Sequence, residues 1–418
     1  MSKLLLNNTR LNNTRADTHI SVNAMLTVSL LLLLRCILYS ANSAAHELDV
    51  RVVYISRDIE PLLPLSLIDK RVEKDGFAGA QLGLADNQTT GSFLGHTYRL
   101  VEILVPEDAD LLATVKQSEE PEPSIVVANL QTDDLLTLAD ALPQALILNT
   151  GANDDRVRHE DCRANVLHLP PSRSMLTDAL AQYLAWKRWD KVVLVTGRHP
   201  EDALYAQALE RAIKRFGLKV VDRKDWTTIP GARRTDSGHH SAQQEIPSFT
   251  QFKEHDVMLV ADEKDEFGEY LSYRSRTPRP VAGTQGLMPT AWHRSHEQWG
   301  ATQIQRRFEK IADRIMTKRD YSSWLAMRTL GEAITNSNSA DPKVLTEFIL
   351  SDKFKLAGFK GKALTFRTYN GQLRQPVLVV SPRMLITVSP QQGFLHQLTE
   401  LDTLGIDEPE SPCAAFSK

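Results

Sequence analysis

The sequence predicts an α/β protein made of two doubly wound lobes, and three observations carry that expectation. Short runs such as VVYI (52–55), SIVVA (124–128), ALILN (145–149), KVVLVT (191–196) and DVMLVA (256–261) are almost continuously apolar, as parallel strands covered on both faces are. Helix-patterned segments alternate with them, the order that a parallel sheet requires. From Lys191 through a helix starting at Pro200 to Leu218–Asp222, strand, helix and strand follow within about 30 residues, the length of one parallel crossover.

The elements follow in order. Leu48–Ser56 reads as a strand, Phe77 to Asn87 as a helix whose small residues (Ala78, Gly79, Ala80, Gly83, Ala85) allow close packing, and Tyr98–Val105 as a second strand. Glu119–Pro123 is an acidic, proline-containing surface loop. Ser124–Ala128, a helix over Thr132–Leu142 and Ala145–Asn149 complete the first unit. Pro170-Pro171-Ser172 then precedes a helix through Met175, Leu176, Ala179, Leu180, Tyr183 and Leu184. Lys191–Thr196 follows, with Pro200 at a first helical position and Gly217 as the stop. The polar stretch 227–250, with Arg233, Arg234, His239 and His240, reads as a solvated loop between Leu218–Asp222 and Asp256–Ala261. After Val281–Gly283 come helices at 297–315, about 320–335 and 342–350, the first with Ala301, Ile304, Phe308, Ile311 and Ile315 on one apolar face. Leu364–Arg367, Gln375–Val380 and Met384–Val388 read as strands, with Asn370-Gly371 as a hairpin turn. The late helices are expected to cover the first unit and the late strands the second. The crossing connections make a hinge between a first lobe of 46–170 and 286–350 and a second of 171–285 and 351–418.

Of the 418 residues, 42% are apolar and 24% charged, with a net charge of −3. This is a soluble globular balance, without the basic stripe of a nucleic-acid binder. The first 45 residues differ. Leu6–Arg10 is repeated at once as Leu11–Arg15, a polar tandem that buries nothing and is expected to be disordered. Leu26–Leu34 is an apolar run, and Ser43-Ala44-Ala45 offers small residues for cleavage after Ala45, so the segment reads as a secretory signal peptide. Met25 is an alternative start. A membrane anchor is the other reading, but the run is shorter than the ~20 residues a span needs. Export to a periplasm is therefore expected. Removing the leader leaves Cys162 and Cys413, which could pair in an oxidising compartment or stay as two free thiols.

The motifs of the commonest α/β enzymes are missing. The turn after KVVLVT is Gly197-Arg198-His199-Pro200, not a glycine-rich dinucleotide loop. No phosphate-cradling loop and no nucleophile elbow occur. His296-Glu297 begins like a zinc-protease helix, but Gly300 stands where the second histidine belongs. His293 and His296 could share a metal, although two polar residues at a helix entrance is the preferred reading. No cofactor is expected. What remains is polar side chains at strand ends. Asn129 and Gln131 follow one strand, and Asn149, Thr150 and Asn153 another; they could hold a carboxylate or simply form turns. Asp262 and Glu263 end a buried strand, where they could take a ligand ammonium or hydroxyl, or cap the next turn. Tyr205 could contact ligand or pack. Trp292, with His293 beside it, and Trp299 could wall a flat ligand or belong to the core. No nucleophile, base and orienter stand together. The pattern describes binding between lobes that close about a hinge.

Several stretches carry a family resemblance: Val260–Glu263, Phe267–Tyr270, Arg279–Leu287, Pro289–His293, Glu297–Ala301, Asn370–Pro376, Gly393–His396 and Glu400–Gly405. Over most of residues 48–413, and most densely after 255, the chain resembles the type I periplasmic solute-binding proteins of ABC importers. More narrowly, it resembles the branch associated with PQQ-dependent alcohol dehydrogenase systems. The resemblance implies two Rossmann-like lobes, a small solute held in the cleft, no catalysis, and delivery to a membrane permease with an ATPase. It puts ligand-carboxylate contacts in the loops of Asn129–Gln131 and Asn149–Gly151, where the expected Ser/Thr-rich pattern is only partly present. A sensory ligand-binding module signalling to a membrane partner is the alternative, and a secreted α/β enzyme a further one.

Overall fold

The computed structural model describes residues 47–60, 72–118, 121–228 and 244–416. The leader reading and Arg233, Arg234, His239 and His240 fall outside the described residues.

β1 (Leu48–Asp58), β2 (His96–Pro106), β3 (Ile125–Asn129), β4 (Leu146–Asn149) and β5 (Val166–His168) form a parallel sheet in the order β2-β1-β3-β4-β5. β1 lies inside the sheet, and Val50, Val52, Tyr54 and Ile55 are fully buried, which is why its sequence hardly alternates. The helices Phe77–Leu94 and Lys318–Ser337 lie in the core on one face. Leu111–Ser118 and Thr132–Ala141 cover the other. The small residues of the first helix have a specific use: a Cβ at Gly79 would stand 1.9 Å from the Asp320 carbonyl oxygen, so glycine lets the two helices touch.

β6 (Lys191–Thr196), β7 (Lys219–Asp225), β8 (Val257–Ala261) and β9 (Val281–Gly283) form a second parallel sheet, ordered β7-β6-β8-β9. The helices Arg173–Lys187 and Pro200–Arg215 pack on one face. Trp226, Ile246, Phe267 and Leu271 fill the other. Six further strands are β10 (Met288–Thr290), β11 (Leu356–Ala357), β12 (Ala363–Phe366), β13 (Leu373–Arg374), β14 (Val377–Ser381) and β15 (Met384–Ser389), paired as β10-β14-β15 and β11-β12-β13.

Several details differ from the sequence reading, and one is that residues 244–249 of the expected solvated loop are helical, with Ile246 buried in the second sheet's outer core. The helix after Gly300 spans only Ala301–Ala312, because Asp313 turns left-handed at φ 50°. Ile311 and Ile315 are therefore 53% and 41% exposed and do not extend its apolar face. The Asn370-Gly371 turn joins β12 to β13, while β14 pairs with β10 and β15. Phe354, Leu356, Leu364, Phe366 and Leu373 belong to the first core, with Trp292 and Tyr321, so the segment expected in the second lobe packs in the first.

Three passages lead out of the first core: Ala282–Ala291 joins it to the second, while Leu169–Met175 and Leu373–Val377 run to a small cluster of Met175, Ala179, Val377 and Leu404. They are laced to one another. Gln375 Nε2 donates to the Leu169 carbonyl at 2.6 Å, Gln372 Nε2 to Pro170 at 3.1 Å, and Arg158 Nη2 to Pro170 at 3.0 Å. The C-terminal segment crosses the same region. Asp402 accepts from Arg367 and Arg374, each at 2.8 Å, and the Gly405 amide donates to Asp178 at 2.8 Å. Cys413 is disulfide-bonded to Cys162. No helix among the described residues is long and apolar enough to cross a membrane.

Candidate functional site

Both parallel sheets have the strand order in which connections leave in opposite directions on either side of the first strand of the unit. Such sheets open a crevice at the carboxyl ends of their strands. A cavity of about 610 Å³ lies there. The first lobe contributes Gln131, Thr150, Asn153 and the start of the helix Lys318–Ser337. The second contributes Tyr205, Asp262 and Glu263, the connecting passages add Arg173 and Thr284, and Trp292 and His293 follow where the chain re-enters the first core.

Eight of the ten expected site residues therefore border one cavity; Asn129 and Asn149 do not. Asn149 is wholly buried, and its amide is spent on its own turn and on the His168 ring, 3.0 Å from Nδ2. Its Oδ1 accepts from the Ala152 N–H at 2.9 Å, and its Nδ2 donates to the Ala152 carbonyl at 2.8 Å. Asn129 Nδ2 donates to the Asp75 carbonyl at 3.0 Å. In both, the amide replaces backbone partners that the end of a strand leaves unmet.

The residues at the cavity differ in what they have free. Thr150 is 1% exposed and donates to the Ala128 carbonyl at 3.2 Å. The side-chain amides of Gln131 and Asn153 make no hydrogen bond among the described residues. Asp262 caps a turn: its carboxylate accepts from the amides of Glu266 at 2.9 Å, Phe267 at 2.9 Å and Gly268 at 2.7 Å. Gly283, at φ 121°, lets β9 turn so that Thr284 Oγ1 accepts from the Asp262 amide at 2.8 Å. Tyr205 is 3% exposed and belongs to the second core; burial, then the nearby Glu263 carboxylate, pushes its phenol up. Trp292 is 2% exposed and stacks on Tyr321 at 4.3 Å, so it is mainly a core residue with one part at the cavity wall. Trp299, in contrast, is 52% exposed and lies outside both core and cavity.

His293 and His296 part company. His296 is buried, with Nε2 at 2.7 Å from the Phe359 carbonyl. His293 borders the cavity, and its Nδ1 accepts from the Ser295 amide at 3.2 Å, which leaves the neutral ring's proton on Nε2. Burial, then Arg294, lowers the His293 pKa, so the ring is neutral at pH 7. Among the described residues no cluster of three or more His, Cys, Asp or Glu could hold a metal ion.

Two cations escaped the sequence reading. Arg173 Nε and Nη2 donate to Glu263 Oε2 at 3.0 and 2.6 Å, and Nη1 pairs with Asp154. Asp154 follows β4 and Glu263 follows β8, so one guanidinium, 5% exposed, ties the two lobes. Lys318 is the first residue of its helix and borders the cavity. Its ammonium makes no hydrogen bond and no ion pair among the described residues. Both cations sit in a helix's first turn, where the macrodipole disfavours positive charge. A cation there calls for a partner, and that was the signal available in the sequence.

No protein-family model matches the chain, and no curated protein matches it in sequence. Solved structures do match. A branched-chain amino acid ABC transporter periplasmic ligand-binding protein from Burkholderia xenovorans superposes with a TM-score of 0.64 at 14% identity, over 88% of this chain and 100% of that one. An ABC transporter solute-binding protein from R. palustris in complex with benzoate gives 0.59 at 11% identity, over 88% and 99%. An ABC transporter substrate-binding protein from Desulfitobacterium hafniense in complex with Leu gives 0.58 at 14%, over 81% and 99%. The fold is thus that of the two-lobed type I periplasmic binding proteins.

Proposed function

We propose that the chain is an exported, non-catalytic solute receptor, which captures a small molecule between its lobes and hands it to an ABC permease driven by a cytoplasmic ATPase. The observation that carries this reading is the cavity of about 610 Å³ at the carboxyl ends of both sheets, of the size that holds a small ligand. Its polar lining offers hydrogen-bonding groups such as Gln131 and Asn153 without a nucleophile beside a base. The solved structures of the same fold support the reading, since their cargoes are small molecules, Leu and benzoate among them. The paired Cys162 and Cys413 suit an oxidising compartment outside the cytoplasm. The resemblance of residues 260–301 to the PQQ-associated branch supports a solute tied to alcohol oxidation.

A thermal-shift panel of amino acids, short alcohols, their aldehydes and carboxylates, and PQQ tests the reading. A ligand at ~100 times its dissociation constant adds ~2.7 kcal/mol to the folded state. One chemical class is expected to raise the melting temperature. A flat panel over well-folded protein would count against a solute receptor. Loss of solute uptake on deletion distinguishes import from sensing.

A further inference from the structure

The charged groups of the cavity wall are unequally committed. Every acid is engaged. Asp262 accepts three backbone amides. Glu263 is held by Arg173 at 2.6 Å, and Glu201 pairs with Lys264 at 3.1 Å. Asp265 accepts from Gln285 Nε2 at 3.3 Å, and Glu269 also has a partner. An ammonium entering this cavity finds no carboxylate waiting for it.

The cations differ. Arg173 is paired twice and Arg319 lies 3.7 Å from Asp75, while exposed Arg294 has one 3.4 Å contact to the Pro382 carbonyl and no ion pair among the described residues. Lys318 has neither a hydrogen bond nor an ion pair among the described residues. Its side chain is exposed and borders the cavity. The charges that act on it are Glu263 and Asp75, which favour the ammonium, and Arg319 and Arg173, which oppose it. Both acids already have cationic partners. An ammonium that borders a cavity without an ion-pair partner among the described residues is free to pair with a ligand anion, a contact that strengthens as the ligand displaces water. Ile315, Met316, Met288 and Leu176 line the same cavity, a surface for a hydrocarbon body.

Resting on the solute-receptor reading, we propose that the ligand is a net anion, a small carboxylate with an apolar body and no ammonium group, and that the Lys318 ammonium receives its carboxylate. This departs from a zwitterionic amino acid, which would need a free acid as well as a free base.

The test is calorimetric titration of the purified protein with benzoate, hexanoate and succinate, each against its uncharged amide, and with L-leucine. The same series is run on Lys318→Met and Lys318→Arg. At least one carboxylate is expected to bind while its amide does not. Lys318→Met should weaken it about tenfold or more, the scale of one charge-assisted contact, and Lys318→Arg should restore most of the affinity. The melting temperature of each ligand-free variant checks folding. An amide binding as well as its acid, L-leucine binding most tightly, or an unchanged Kd in Lys318→Met would overturn the anion inference and leave a solute receptor standing. No binding by any probe would overturn both.

Discussion

The two walls of the cavity use charge in opposite ways. On the second-lobe side Asp262 and Glu263 have the residue types of a binding site, yet backbone amides and Arg173 already take their charge. On the first-lobe side Lys318 begins an ordinary helix and has no partner among the described residues. A polar side chain at a strand end is thus weak evidence of ligand contact until its hydrogen bonds are counted. The group with an unmet need points to the ligand better than the group of the expected type.

Arg173→Met should break this contrast most strongly. It leaves Asp154 and Glu263, each 19% exposed, without their shared cation. Removing one partner of such a buried pair costs about 3–5 kcal/mol, readable as a lowered urea midpoint. The freed Glu263 should also repel a carboxylate and admit an ammonium. Opening the disulfide should cost about 2–4 kcal/mol. Cys162→Ser with Cys413→Ser should lower the melting temperature and leave carboxylate affinity little changed, because the bridge ties the tail and does not border the cavity. Asp262→Ala removes the acceptor of three amides and should cost about 2 kcal/mol. Its effect belongs in chemical denaturation and not in the Kd of the folded protein; a large loss of affinity at unchanged stability would make Asp262 a ligand contact.

The smallest effect is a pH dependence. Burial, then Arg319, lowers the Lys318 pKa below that of an ordinary lysine. The folded chain therefore releases this proton at lower pH than the unfolded chain does. The charged ammonium weighs against folding through the neutral range, and that weight lifts as pH rises through the folded value. Carboxylate affinity runs the other way. It should be weaker at about pH 9.5 than at about pH 7.5, and the difference should vanish in Lys318→Met.

Much of the fold was legible because buried parallel strands are apolar on both faces, as β1, β6 and β8 show. β5 was missed because Val166–His168 spans only three residues, too few for a pattern. The helix after Gly300 was read too long because Ile311 and Ile315 keep the helical spacing after Asp313 has turned the chain. The segment 354–373 was assigned to the wrong lobe, since an amphipathic hairpin does not say which core it joins. At the site, strand ends could be located but their hydrogen bonds could not. Whether Asn149 or Asp262 serves a ligand or a turn depends on amides that the fold brings to it. The place of Arg173 in a helix's first turn could be read, but its partner could not, because Glu263 lies 90 residues away.

The most direct test of the account is a charge reversal. Lys318→Glu should lose benzoate binding and gain binding of benzylamine, its cationic counterpart, while the ligand-free melting temperature stays close to that of the parent protein. Benzoate bound with an unchanged Kd in a folded Lys318→Glu protein would contradict the claim that the Lys318 ammonium, without an ion-pair partner among the described residues, selects the ligand.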